Sequence, residues 1–356
     1  MLKNKASRLQ PFFEKHALDL LLIEHPVNLR YLTGFSGSEG SLLVSADGSG
    51  WFICDSRYTL QANQEVQGYA VVEQSRRRNA VMELVEGAAA RRVGIEGAHT
   101  TISDYRAMTE ILNPVDLVAI GAELDTIRDI KESAELDQLE RVATLASQSL
   151  LAVLPRLRPG VVEADFALEL EFEMRRRGAD ACGFDIIVAS GERGAMPHGR
   201  ASRKAVQAGE LVTIDFGAVL DGYHSDETVT VAVGAIDEEQ RRVYETVRVA
   251  HDLAVAAVKP GISCRDLDAV AREHICAAGY GDFFGHGLGH GVGLEVHEKP
   301  VVSPRSDALI EEGMVFTIEP GIYLPGRFGV RIEDTVTVTS DGCRVLTKVP
   351  KMLMNL

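Results

Sequence analysis

The 356-residue chain has no CxxC pair, and its five cysteines (Cys54, Cys182, Cys264, Cys276 and Cys343) are odd in number and scattered. That pattern excludes a thiolate zinc site and a disulfide framework, and it suits a reducing, cytoplasmic setting. The chain is also short of positive charge: 37 lysines and arginines against 52 acids leave a net charge of -15, with a sequence pI near 5.2. Neither a nucleic acid nor an anionic membrane surface is a suitable partner for that balance. No apolar run approaches the ~18 residues of a membrane span. The opening MLKNKASRLQPFFEKHALDLLLIEH has its apolar stretch cut by Glu14, Lys15, His16 and Asp19, which is not the pattern of a signal peptide. GFSGSEG at 34–40 lacks both GxGxxG and GK[ST], so no nucleotide loop is assigned.

What is present reads as two domains, on a prior of ~150 residues each. The first third alternates helical and strand segments. LLLI, SLLVS, WFICD, YAVVE, VGIE and VDLVAI are strand-like, and TISDYRAMTEIL is a helix opened by a Thr/Ser cap. This α/β domain is expected over residues 1–125, with the remainder, 126–356, forming a second domain. There the chain repeats itself: RPGVVEAD (158–165) and KPGISCRD (259–266) match at an offset that also aligns Gly178 with Gly279. Each copy reads helix, Pro-Gly turn, amphipathic helix, Gly, strand. Duplication implies two similar halves with a cleft between them.

Acids punctuate the strands of both halves. TIDFGAVLDGYHSD, residues 213–226, reads as a β-hairpin turning at Asp221-Gly222. That turn sets Asp226 opposite Gly217, on the face of Asp215, with diagonal neighbours about 7–8 Å apart. Gly217, having no side chain, is expected to leave the space between the two carboxylates empty. Taken alone, the pair is equally consistent with solvent-facing acids. A second ribbon, IEPGIYLPGRFGVRIEDT, places Glu319 and Glu333 symmetrically about Gly326. Like charges directly opposed destabilise a sheet, so two such ribbons point to a shared dication site. Between them lies GHGLGHGVGLEVHE, with His286, His290 and His297 among glycines in a strand-like segment. Neutral imidazoles bind metals and donate to developing oxyanions, and only some of the three need be ligands.

TIDFG, SDET eleven residues after its Asp, HGVGLEVHE, IEPG and VRIEDT together resemble, in order and spacing, the pita-bread metallopeptidases, the family of Xaa-Pro aminopeptidases and prolidases. The resemblance covers roughly 128–356. PHGR at 197–200 matches a further family histidine motif, and NLRYLTGFSGS resembles the family's N-terminal domain. The resemblance implies an N-terminal α/β domain that covers the cleft and makes dimer contacts, followed by an internally duplicated α+β pita-bread catalytic domain. The implied ligands are Asp215, Asp226, His290, Glu319 and Glu333, with Asp226 and Glu333 bridging two metal ions. Glu319 is then the general base, His198 and His297 hold the scissile carbonyl and its oxyanion, and His286 shapes a proline pocket. Arg331 either orients ligands or a substrate carboxylate, or serves as a structural salt bridge. One departure is Thr230, where family members often carry Arg.

Four carboxylates and one imidazole make a hard site that favours Mn²⁺, with Co²⁺ or Zn²⁺ as alternatives. Paired dications acidify water for attack on a peptide carbonyl. By resemblance the substrates are proline-containing peptides and the assembly a homodimer. Xaa-Pro aminopeptidase is the leading expectation, prolidase acting on dipeptides the second, and a non-catalytic binding protein of the same fold the remote third.

Overall fold

The apolar segments of the first third pair into a single sheet. The structure, a computed structural model, describes residues 5–356 and divides into two compact units, Met1–Arg128 and Asp129–Leu356. In the first, β1 (Leu20–Ile23), β2 (Ser41–Ser45), β3 (Gly50–Cys54), β4 (Ala70–Glu73), β5 (Arg92–Glu96) and β6 (Asp116–Ile120) lie in the order β4-β3-β2-β1-β5-β6. Strands β1, β5 and β6 run parallel, while β2 is antiparallel to both of its neighbours. Helix α1 (Gln10–His16) precedes β1, and α2 (Pro26–Thr33), α3 (Thr59–Glu65), α4 (Arg77–Gly87) and α5 (Ile102–Leu112) connect strands. The expected cap is present: Thr101 Oγ1 accepts from the Asp104 N–H at 3.1 Å. Leu20, Leu22, Ile53 and Ile95 pack with Val81, Val85, Met108 and Leu112 of α4 and α5.

The second unit is built twice. The first half runs α6 (Ser133–Val153), α7 (Glu163–Arg176), β7 (Ala181–Cys182), β8 (Ile187–Ser190), β9 (Glu210–Phe216), β10 (Ala218–Leu220), β11 (Tyr223–His224) and β12 (Glu227–Val233). The second half runs α8 (Glu238–Ala257), α9 (Cys264–Ala277), β13 (Gly289–Gly291), β14 (Glu298–Val302), β15 (Val315–Ile318), β16 (Gly321–Leu324), β17 (Phe328–Arg331), β18 (Asp334–Val338) and β19 (Cys343–Val345). The long helices have 21 and 20 residues and the shorter ones 14 each. Both long helices open with a capping box, Glu132 with Glu135 and Asp237 with Gln240.

The matched glycines share a backbone role. Gly160 and Gly261 adopt φ of 92° and 88°, and Gly178 and Gly279 107° and 88°, a region L-residues avoid. The Gly160 N–H donates to Val206 O and the Gly261 N–H to Ile310 O, each at 2.8 Å. Each half has its own core. Val142, Leu150, Phe166 and Leu170 pack beneath Val212, Ile214 and Val231; Val247, Ala254, Leu267 and Ile275 pack beneath Phe316, Ile318 and Val336.

Candidate metal centre

The first acidic ribbon takes the register its turn predicts. Asp221 and Gly222 have φ of 50° and 77°, the double left-handed turn that suits a two-residue hairpin. Leu220 pairs with Tyr223, and beyond the break Phe216 pairs with Glu227 and Asp215 with Thr228. Gly217 and Ser225-Asp226 lie outside both ladders. The space at Gly217 is not empty as expected: a Cβ there would overlap the Ser225 carbonyl oxygen. The glycine lets one strand press on the other, and the acids meet elsewhere.

The second ribbon repeats the device. Gly321 pairs with Arg331 and Ile318 with Asp334, so Glu319 and Glu333 oppose one another at an interruption between two ladders. Their backbones are handed to other elements. Glu319 N–H donates to Leu288 O at 2.8 Å and Glu333 N–H to Thr228 O at 3.0 Å, the latter tying the second ribbon to the first.

Side chains from both ribbons converge. One donor atom from each of Asp226, His290 and Glu333 lies within 4.8 Å of the others. His290 Nε2 is 3.6 Å from Asp226 Oδ2 and 3.4 Å from Glu319 Oε1. His290 Nδ1 lies 3.1 Å from the Gly291 carbonyl, an acceptor, which assigns the ring proton to Nδ1 and leaves Nε2 a bare lone pair. Burial holds this imidazole below its usual pKa, in the neutral form. A lone pair ringed by carboxylates is repulsive unless a proton or cation sits among them. Burial, reinforced by neighbouring acids, pushes Asp226 and Glu333 well above the usual carboxylate range. Burial also raises Glu319, against the opposing pull of His286 and Arg331. Asp215 Oδ1 is buried with no hydrogen-bond partner among the described residues. An orphaned carboxylate oxygen, a bare imidazole nitrogen and three destabilised acids are what a divalent cation would satisfy.

Hydroxyls and one guanidinium fix the remaining oxygens. Thr228 Oγ1 donates to Glu333 Oε2 at 2.6 Å, and Thr317 Oγ1 to Glu319 Oε1 at 3.1 Å. Arg331, buried, donates to Asp215 Oδ2 (2.6 Å), Tyr323 Oη (3.0 Å), Thr228 Oγ1 (3.2 Å) and the Pro197 carbonyl (3.1 Å). Its ion pair with Asp215 fits both expected roles, an orienting group and a structural salt bridge. His297 stacks obliquely on His290, with ring centroids 4.2 Å apart. Burial and the His290 ring keep it below its usual pKa, and His198 acts on it electrostatically in the same sense. His198 itself is exposed, in the loop whose Pro197 carbonyl meets Arg331. His286 stands one step back: its Nδ1 lies 2.8 Å from Gly287 O and its Nε2 2.9 Å from Tyr323 Oη.

Some supporting residues carried no sequence signal. Glu163 of α7 is fully buried and accepts from the Ser190 N–H (2.8 Å) and hydroxyl (2.7 Å), Arg193 Nε (2.9 Å), and the Ser202 N–H (3.1 Å) and hydroxyl (2.7 Å). It thereby closes the loop that carries His198 at both ends. Tyr323 joins Arg331 to His286. In the other unit, His25, His99 and Asp125 also bring donor atoms together. Asp125 there accepts from His99 (3.0 Å) and Asn28 (3.1 Å) and lies 3.7 Å from Arg128, so protein groups already neutralise it.

Residues 137–340 match metallopeptidase family M24, and residues 5–130 match the creatinase/prolidase N-terminal domain. A solved Xaa-Pro dipeptidase from Bacillus anthracis is 40% identical with a TM-score of 0.96, over 99% of both chains. The Xaa-Pro dipeptidase of Pyrococcus furiosus is 37% identical over 99% of this chain and 100% of its own. An X-Pro aminopeptidase structure from Thermotoga maritima is 36% identical with a TM-score of 0.90, over 99% of both chains. These matches agree with the expected fold, an N-terminal α/β unit followed by a duplicated pita-bread unit.

Proposed function

The chain belongs to metallopeptidase family M24, and from that premise we propose that it is a metal-dependent Xaa-Pro dipeptidase. The observation that carries the metal dependence is the His290 lone pair facing Asp226 and Glu319 inside a shell of buried acids. The names of the relatives favour dipeptides over the longer peptides of an aminopeptidase, reversing the order expected from sequence. The Thermotoga maritima likeness keeps aminopeptidase as the second reading.

In this proposal Asp215, Asp226, His290, Glu319 and Glu333 hold two divalent ions, with Mn²⁺ ahead of Co²⁺ or Zn²⁺ for an oxygen-rich donor set. Bound there, the ions supply Lewis-acid polarisation and acidify water at neutral pH. Glu319 takes the proton of the attacking water and passes it to the proline nitrogen as the peptide bond breaks. The neutral His297 and the exposed His198 hold the scissile carbonyl and donate to the oxygen as it gains charge. Arg331 keeps Asp215 aimed at the centre, and Tyr323 locks His286 as one wall of the proline pocket.

The amide before proline has no N–H, so recognition rests on shape and on the carbonyl. Gly-Pro and a longer Gly-Pro peptide, each assayed with Mn²⁺ after chelation, separate the two readings. Turnover of Gly-Pro alone is expected; faster cleavage of the longer peptide establishes the aminopeptidase, and chelator-resistant activity overturns metal dependence. Asp226→Asn is expected to lose activity and metal together. A homodimer, checked by light scattering, and a cytoplasmic setting, suited to five free thiols, belong to the same proposal.

A further inference from the structure

Two of the proposed ligands, Asp226 and Glu333, are each followed by a second acid and a threonine: Asp226-Glu227-Thr228 and Glu333-Asp334-Thr335. Alternation along extended backbone sends the middle residue of each triplet to the opposite face. The two runs lie side by side, joined by Glu333 N–H to Thr228 O at 3.0 Å and by the Thr335 hydroxyl to Asp226 O at 2.7 Å. On the far face Glu227 and Asp334 meet one lysine. Lys351 Nζ is 2.6 Å from Glu227 Oε1 and 3.1 Å from Asp334 Oδ1. His251 Nε2 lies 3.2 Å from Asp334 Oδ2. The side chains of Glu227, Asp334 and Lys351 are only 1%, 8% and 10% exposed, so water screens these charges little.

Lys351 arrives on the C-terminal segment, which lies along β12. Val349 N–H donates to Glu227 Oε1, Ala232 N–H to Met354 O and Leu356 N–H to Ala232 O, each at 2.9 Å. We infer that Lys351 is a positioning residue for the metal centre: its ammonium group sets the spacing of the two runs, and through them the spacing of Asp226 and Glu333. The inference rests on the proposed metal-dependent function. Without the lysine, two buried carboxylates repel across neighbouring backbones. Asp226 and Glu333 both stand outside the regular ladders, so fewer bonds resist the spreading there.

The test is Co²⁺ titration of the full chain, read by calorimetry and by the visible absorption of the bound ion. Lys351→Met is expected to weaken binding about tenfold or more and to alter the absorption band, as loss of supporting groups does at metal sites. Lys351→Arg keeps the charge and is expected to bind as the unaltered chain does. The triple variant Glu227→Gln, Asp334→Asn, Lys351→Met removes the repulsion together with its counter-charge and is expected to recover tight binding, even if the single variant does not fold. Unaltered Co²⁺ affinity in Lys351→Met overturns the inference, as does a folded triple variant that binds weakly. An unaltered chain that takes up no Co²⁺ overturns the proposed function as well, so the two failures are distinguishable.

Discussion

Gly217 marks the point where one strand of the first ribbon presses against the other, since any Cβ would overlap the Ser225 carbonyl. Gly289 and Gly291, on either side of His290, are held as closely by the backbones of Thr317 and Lys299. Gly217→Ala is expected to destabilise the fold by about 1–3 kcal/mol, the usual range for overpacking, and to lower activity by displacing Asp226. Urea unfolding beside a Gly-Pro assay checks both, and unchanged values exclude the close approach. At this scale the sequence revealed types better than reasons. The four acids stood out by spacing and His290 only through the family resemblance; the structure brings Asp226, His290, Glu319 and Glu333 together and pairs Asp215 with Arg331. Gly217 leaves no void between the carboxylates, contrary to the sequence expectation. Thr228 and Thr317 carry no such signal, because a hydroxyl declares its target only when the acceptor is in place.

Among the elements, the loop between β8 and β9 depends on one carboxylate. Burial disfavours the charge of Glu163, but the Ser202 and Ser190 hydrogen bonds outweigh it and hold its pKa below the usual carboxylate value. Because the folded value is the lower one, this group contributes stability at neutral pH. That contribution is lost as pH falls through the unfolded and then the folded value. Glu163→Gln is therefore expected to be less stable at pH 7, with the gap closing below about pH 4 in urea titrations. If the loop positions His198, the same variant also loses up to about a hundredfold in kcat/KM. The partners of Glu163 lie 27–39 residues away, which no local pattern reveals. Both hairpin registers, by contrast, followed from turn chemistry at Asp221-Gly222 and around Gly326. Within the histidine segment only Gly289–Gly291 and the final Glu298 are strand, with an irregularity after His290. Without side chains, its glycines cannot mark a face.

For the molecule as a whole, ligation and folding are coupled. A divalent ion at about 100 times its Kd adds about 2.7 kcal/mol of stability. Calorimetry is thus expected to show a Tm that climbs with Mn²⁺ in the unaltered chain and stays fixed in Asp226→Asn. Reducing agents are expected to leave Tm unchanged, because all five thiols are free. Duplication was legible from paired Pro-Gly turns because glycines at positive φ resist replacement; the broken ladders were not, since hydrogen bonds leave no mark on composition. Those breaks bear on how such a chain can evolve. An acid at an interruption can become an amide or an alanine without disturbing a ladder, and the exchange relieves crowded charge. Catalytic silence therefore lies a single codon away and eases the strain of the metal-free protein, so continued demand for turnover and the stability lent by the bound ion are what keep these carboxylates in place.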